Sequence, residues 1–309
     1  MQELADLAGV SRATVSRALS DSALVNDETK RKIRQLARDH DYQVNQRARS
    51  FRLRKTNMIM VVVMLDVKSH QHMSDPFFLE MIGGISDALS SHDHDLILAH
   101  APITDIANLR NGRPYDQSDG VIFIGQGQQH DRLNELAAGS KPIIVWGADL
   151  PDRDYHVVGG NNERGGYLAT RHLLSMGRQQ IAFFGNPSLP EIAGRYKGYI
   201  DAHQEAGIST DNLVLTDVPF EMVGARRTLR HLLDQGIRFD ASVCASDVMA
   251  LSAITTFSEY GLKVPDDIAI VGYDDISLAA YSSPPLTTIR QNIRSAGRQL
   301  VENLLKLTA

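Results

Sequence analysis

MIMVVVML, residues 58–65, is an apolar run with no polar break. A strand with one face in water alternates polar and apolar residues. A strand buried on both faces does not, so this run predicts a central strand of a parallel sheet. The same texture returns in short runs at 96–99, at GVIFI (120–124), PIIVW (142–146) and IAFF (181–184), and at ASVCA (241–245) and IAIV (268–271). Between most of them lie stretches of helical periodicity at 78–91, 165–176, 196–206, 224–235 and 249–260. Strand alternating with helix implies parallel sheets wound with helices on both faces. One set of runs ends near Gly159 and another begins near Ile181. The expected fold class is therefore α/β, with a core of two lobes, each a parallel doubly wound sheet, and a cleft between them. Ligands of such sheets bind outside the carboxyl ends of the strands, so a ligand in the cleft would touch loops from both lobes.

Those loops carry polar chemistry. Asp75-Pro76-Phe77-Phe78 follows the first strand, Arg195 opens the helix of RYKGY, and Ser246 and Asp247 follow ASVCA. Asp274 and Asp275 follow IAIVGY, and Gln291 lies in the crossing segment PPLTTIRQN. Carboxylates accept from hydroxyls, a guanidinium donates to oxygens, and aromatic rings cover apolar faces, so this set suits a polyhydroxylated ligand. Asp247 can equally cap the helix that follows it. Of Phe77 and Phe78, one is expected in the core and one at the site.

Upstream, residues 1–57 hold 12 Lys and Arg against 7 Asp and Glu, whereas the remainder holds 20 against 30. A basic head on an acidic body points to a polyanionic partner for the head; a solvated basic face is the plainer alternative. MQELADLAGVSRATVSRAL (1–19) reads as a short helix over 2–8 with Leu4, Ala5 and Leu7 near one face. Gly9 suits a tight turn. Ser11 is a good N-cap for a second helix over 12–19, with Val15 and Leu19 inward. This is the pattern of a helix-turn-helix, whose second helix enters the DNA major groove. Arg12, Ala13, Ser16 and Arg17 sit where a reading helix meets base edges, while Ser11 and Thr14 carry hydroxyls suited to phosphate. A third helix, capped by Asn26, runs to about Asp39. The basic stretch YQVNQRARSFRLRKTN (42–57) follows, with Asn45, Arg49 and Phe51 as candidate DNA contacts. Such a stretch can fold on DNA and drive an apolar wedge into the minor groove.

The 309 residues are 43% hydrophobic and 22% charged, ordinary globular values, so a tail, fibre or coiled coil is excluded. The single cysteine, Cys244, rules out an internal disulfide framework and any multi-cysteine zinc module. The polar start and the absence of a long apolar run point to a cytoplasmic protein. An enzyme on an α/β scaffold is the first rival. GGNNERGG (159–166) hints at a phosphate loop but lacks the Lys-Ser/Thr of a P-loop, and no GxSxG or HExxH occurs. His70, His72, His92 and His94 lack regular metal spacing, so no metal and no cofactor is expected. A plain solute-binding protein, the second rival, leaves the basic head unexplained.

LAGVSRATVSRAL, RARSFRLRKT, DPFF, DGVIFIG, RYKGYIDAHQEAGI, ASDVMAL and LKVPDDIAIVGYDD…PPLTTIRQN occur in the order and spacing of the LacI/GalR family of bacterial repressors, which the chain resembles over almost its whole length. The resemblance implies a helix-turn-helix headpiece (1–41), a hinge helix or linker (42–57) and a periplasmic-binding-protein-like core (58–309). The core would comprise a first lobe of 58–159 plus about 290–309 and a second lobe of 160–289. It implies a homodimer on a pseudo-palindromic operator of double-stranded DNA, controlled by a small effector, with a sugar favoured and a purine or nucleoside as the alternative. No heptad run suggests a tetramerisation tail. By analogy, Arg12, Ala13, Ser16 and Arg17 fall at or near base-reading positions, and Phe51 stands where the family's hinge usually carries a leucine wedge. Arg195, Asp247, Asp274 and Gln291 fall on effector-contacting positions, and Ser246 falls where some sugar-responsive members place an Asn. Phe220 and Trp146 are candidate ring-stacking residues; a purine would call for a sandwich, for which Phe77 and Phe220 are the candidates. Relative to the family, the chain looks trimmed at both ends.

Overall fold

The computed structural model describes residues 2–19, 21–40, 56–65, 71–102 and 106–308. The chain divides into two compact units, Met1–Thr56 and Asn57–Ala309.

In the first unit α1 (Gln2–Ala8), α2 (Arg12–Leu19) and α3 (Asp27–Asp39) enclose a small core of Leu4, Ala5, Ala8, Val15, Ala18, Val25, Ile33 and Ala37. Gly9 turns the chain between α1 and α2 at φ +69°, a region that a side chain rarely tolerates. Ser11 Oγ accepts the Thr14 N–H at 3.1 Å and so caps α2, and Asn26 does the same for α3 through Thr29 at 2.8 Å. Leu7 does not join Leu4 and Ala5 inside: it is 46% exposed, and Ala8, one position on, closes the core instead.

In the second unit β1 (Met58–Leu65) is the central strand that its composition demands. It pairs in parallel with β2 (Asp95–Pro102) on one side and β3 (Gly120–Ile124) on the other. Its alternate residues serve two layers. Ile59, Val61 and Val63 pack toward α4 (Pro76–Ser91), whereas Met60, Val62 and Met64 pack with Tyr115 of α5 (Arg113–Asp116) and with Leu133 and Leu136 of α6 (His130–Ala137). β4 (Ile143–Trp146) and β5 (His156–Val158) complete a sheet in the order β2-β1-β3-β4-β5.

After β5 the chain enters α7 (Asn162–Ser175) and builds the second sheet from β6 (Ile181–Phe184), β7 (Leu215–Thr216), β8 (Ala241–Cys244), β9 (Ala269–Asp274) and β10 (Thr287–Arg290). Helices α8 (Pro190–Glu205), α9 (Met222–Asp234) and α10 (Asp247–Glu259) fall between the strands. The order is β10-β9-β8-β6-β7, the same winding as the first lobe read from the other edge. The last helix, α11 (Ile293–Leu307), returns to the first lobe, where Leu300, Val301 and Leu304 join Ile59 and Val61.

The glycines of GGNNERGG serve packing. A Cβ on Gly166 would lie 1.9 Å from the Arg195 carbonyl oxygen, and one on Gly198 would lie 1.9 Å from that of Glu163. Only glycine lets α7 and α8 approach this closely, and the contact fixes the backbone of Arg195.

Candidate functional site

Doubly wound sheets leave a crevice where the strand order reverses, at the carboxyl ends of the strands. The reversals fall between β1 and β3 in the first lobe and between β6 and β8 in the second. The loops after these strands line one cavity, open to solvent. Asp75, Phe77, Phe78, Gln126 and Trp146 contribute from the first lobe. Glu191, Arg195, Phe220, Ser246 and Asp274 contribute from the second, and Gln291 from the segment that crosses back.

The first lobe supplies mostly aromatic surface. Asp75 caps α4 by accepting the Phe77 N–H at 2.9 Å, and Pro76 pre-sets the first turn. Consecutive helix positions splay apart. Phe78 therefore joins the core cluster with Met81 and Ile85, while half-buried Phe77 packs on the edge of that cluster. Phe77 meets Trp146 at the end of β4, ring centroids 6.3 Å apart. The Gln126 side chain is fully used within its lobe: Nε2 donates to the Ala148 carbonyl and to Tyr155 Oη, and Oε1 accepts the Ala148 N–H, all at 2.8 Å.

The second lobe supplies the charge. Arg195 is only 7% exposed. Its Nε donates to Asn162 Oδ1 at 3.0 Å, its Nη1 donates to the Ala245 carbonyl, and its guanidinium lies 3.7 Å from the Tyr273 ring centroid. These contacts hold the guanidinium in one orientation. Asp274, 6% exposed, ends β9 with φ +119°, and Asp275 follows at φ +58°. Positive φ in a non-glycine residue costs on the order of 1–3 kcal/mol and clusters at functional sites. Gln291 donates to Asp274 Oδ1 at 2.6 Å, so the crossing segment and the strand end present one polar unit. Ser246 caps α10 by accepting the Met249 N–H at 3.3 Å, which leaves its own O–H free to donate.

Asp247, expected to meet the ligand or to cap its helix, is fully buried and is not among the residues that line the cavity. Its Oδ2 accepts the Ile276 N–H at 2.9 Å and its Oδ1 accepts the Thr288 hydroxyl at 2.5 Å. The carboxylate ties the inter-lobe loops to α10. Asp275 likewise faces away and accepts from Arg290.

Burial dominates the electrostatics. It holds the Asp274 carboxyl well above the usual carboxylate range, against the opposing pull of Arg195 and with added repulsion from Asp247. It pushes Asp75 up to about 6 against the Phe77 N–H, and Asp247 also to about 6 against the Thr288 and Ile276 donors. Glu191 is raised as well, chiefly by burial, with its own N–H, Arg195 and the Gln126 N–H opposing.

In the headpiece Ser11, Arg12, Ala13 and Arg17 are exposed on α2, whereas Thr14 and Ser16 are half-buried. The Ser11 and Thr14 hydroxyls lie 2.9 Å apart and bond to one another. Arg12 has no acidic partner among the described residues. Asn45, Arg49 and Phe51 lie outside the described residues, as does most of the expected hinge. The described residues include no group of three or more side chains placed to hold a metal ion, and no helix long and apolar enough to cross a membrane.

The sequence model of bacterial regulatory proteins of the lacI family matches residues 1–45, and that of the periplasmic binding protein-like domain matches 170–309. The chain is 33% identical to the HTH-type transcriptional repressor PurR of Photobacterium profundum, over 99% of this chain and 91% of that protein. The chain belongs to the LacI family. It is also 31% identical to the ribose operon repressor of Haemophilus influenzae, over 99% of this chain and 91% of the relative. A LacI family regulator from Enterococcus faecium, solved with bound ribose, superposes with a TM-score of 0.70 at 30% identity, covering 81% of this chain and 89% of that one.

Within this LacI-family fold, sequence reasoning missed Glu191 and the Gln126 backbone. The helix of RYKGY begins at Pro190 rather than near Arg195, so its first turn, Glu191 included, reaches the cavity. The signal was present: Pro190 followed by an acidic residue marks a helix start.

Proposed function

We propose that this protein is a homodimeric, cytoplasmic transcriptional repressor that reads its operator with α2 and is controlled by a sugar bound between the lobes, with no catalytic step. Arg195 and Asp274 carry this reading. Both are buried, held by the protein, and turned toward one cavity with an aromatic wall. That arrangement suits a molecule with both hydroxyls and an apolar face. The ribose in the Enterococcus faecium regulator and the name of the Haemophilus influenzae relative support a sugar. Arg12, Ala13, Ser16 and Arg17 would read bases, Ser11 and Thr14 would meet phosphates, and Asn45, Arg49 and Phe51 would contact the minor groove. Leu79, Leu98, Leu278 and Tyr281 leave large apolar surfaces exposed on the core, the kind a second copy covers. The ligand would act through its different affinity for the two arrangements of the lobes.

One observation favours a second ligand class. Phe77 and Phe220 both line the cavity, from opposite lobes, and could sandwich a flat base. The similarity to PurR supports the same alternative. A thermal-shift panel of pentoses, hexoses, hypoxanthine and guanine separates the two, since a ligand of the folded state raises apparent stability. The sugar reading expects a rise with sugars alone; a rise with purines alone replaces it.

A further inference from the structure

Three helices point their N-termini at the cavity: α4, α8 and α10. Such ends are ready-made anion sites, because free N–H groups and the helix dipole favour negative charge. Here each end already holds a carboxyl group of the chain. Asp75 caps α4, Glu191 sits in the first turn of α8, and Asp247 opens α10 behind Ser246. Against Asp75, Glu191 and Asp274, Arg195 is the one cation among the described residues that line the cavity. Two of its donors are already engaged, by Asn162 and the Ala245 carbonyl.

The buried acids also need donors. Asp274 is 6% exposed. Its Oδ1 accepts from Gln291, and its Oδ2 has no donor among the described residues. A hydroxyl can donate to that oxygen; a phosphate dianion can only accept.

We infer that the cleft takes an unphosphorylated, uncharged sugar and rejects the phosphate esters of the same sugar. This rests on the sugar reading above and narrows it. Asp75, Glu191 and Asp274 all line the cavity, and burial, which disfavours a charged group, has raised all three; the same surroundings disfavour a phosphate dianion. A dianion would have to shed water beside these carboxyls, and like charges in contact oppose binding strongly. A neutral polyol meets no such opposition and satisfies the acceptors.

The test is calorimetric titration of the full chain with matched pairs: D-ribose and D-ribose 5-phosphate, D-glucose and D-glucose 6-phosphate, D-fructose and D-fructose 6-phosphate. The expected result is that one free sugar binds and its ester binds on the order of 100-fold more weakly, the size of effect that like-charge contact produces. In Glu191→Gln, which keeps the shape and removes the charge, the gap should narrow several-fold, as it should for the unaltered protein at high salt. An ester that binds as well as its sugar, or better, overturns the inference and leaves the sugar reading standing. A gap unchanged both in a folded Glu191→Gln protein and at high salt overturns the charge argument. If no member of any pair binds, the sugar reading falls and takes the inference with it.

Discussion

The two lobes share one winding and divide the cleft unequally. Among the described residues, the first lobe faces the cavity with Phe77, Phe78 and Trp146 and a single acid, Asp75. The second faces it with Arg195, Glu191, Asp274 and Ser246, and with Phe220 as its aromatic counterpart. Equal topology thus supplies equal positions, and the loop residues decide what each position does. An apolar wall contributes affinity that falls off gradually as area is lost. A fixed guanidinium and a buried carboxyl contribute contacts that are made or missing.

That contrast predicts a ranking. Truncation in the second lobe should hurt most: Asp274→Ala and Arg195→Ala are each expected to weaken effector binding by on the order of 100-fold, since losing one partner of a buried charged contact costs about 2–5 kcal/mol. Operator binding without effector should persist in both, checked by anisotropy on a selected duplex. Its loss in both would make these residues structural and erase the contrast. Arg12→Ala is the mirror experiment. It should weaken operator binding by roughly tenfold or more, as expected for losing a bidentate base contact of about 1–3 kcal/mol, and leave the effector-induced thermal shift in place.

Trp146→Ala should weaken effector binding by about tenfold, less than either second-lobe change, because an aromatic contact contributes about 0.5–1.5 kcal/mol beyond its area. A larger loss than in Asp274→Ala would reverse the ranking. The last expected effect concerns stability and pH rather than affinity. Burial lifts Asp75 to about 6, so the folded state favours its protonated form. The stability this gives is complete below the ordinary carboxylate range and is lost as pH rises through about 6. Asp75→Asn can still cap α4 and has no proton to lose. Relative to the unaltered protein it should therefore gain stability, by up to about 3 kcal/mol, between pH 4 and pH 7, read from urea midpoints.

The core's architecture was legible because β1 is apolar without a break and such runs recur at regular intervals. Periodicity, however, locates faces better than ends. The helix of RYKGY starts several residues earlier than its apolar pattern suggests, and Glu191 was hidden by that difference. Leu7 and Ala8 both fit the inner stripe of α1; only tertiary packing decides that the smaller one goes in. Asp247 could equally cap a helix or meet a ligand, and its partners, Ile276 after β9 and Thr288 in β10, are distant in sequence and announced by no local pattern. The glycines of 159–166 suggested a phosphate loop, since a tight turn and a tight helix crossing ask for the same residue. Their purpose emerges only from the approach of α7 to α8.

A repressor controlled by a sugar must couple its cleft to its headpiece. Fluorescence anisotropy on a duplex selected by the full chain from a random pool tests this coupling most directly, with titrations at moderate salt in the absence and presence of the sugar that raises the protein's thermal midpoint. The expected result is sequence-specific binding whose affinity changes at least several-fold with the sugar, and no such change in Asp274→Ala. Identical isotherms with and without a sugar that demonstrably binds would contradict it.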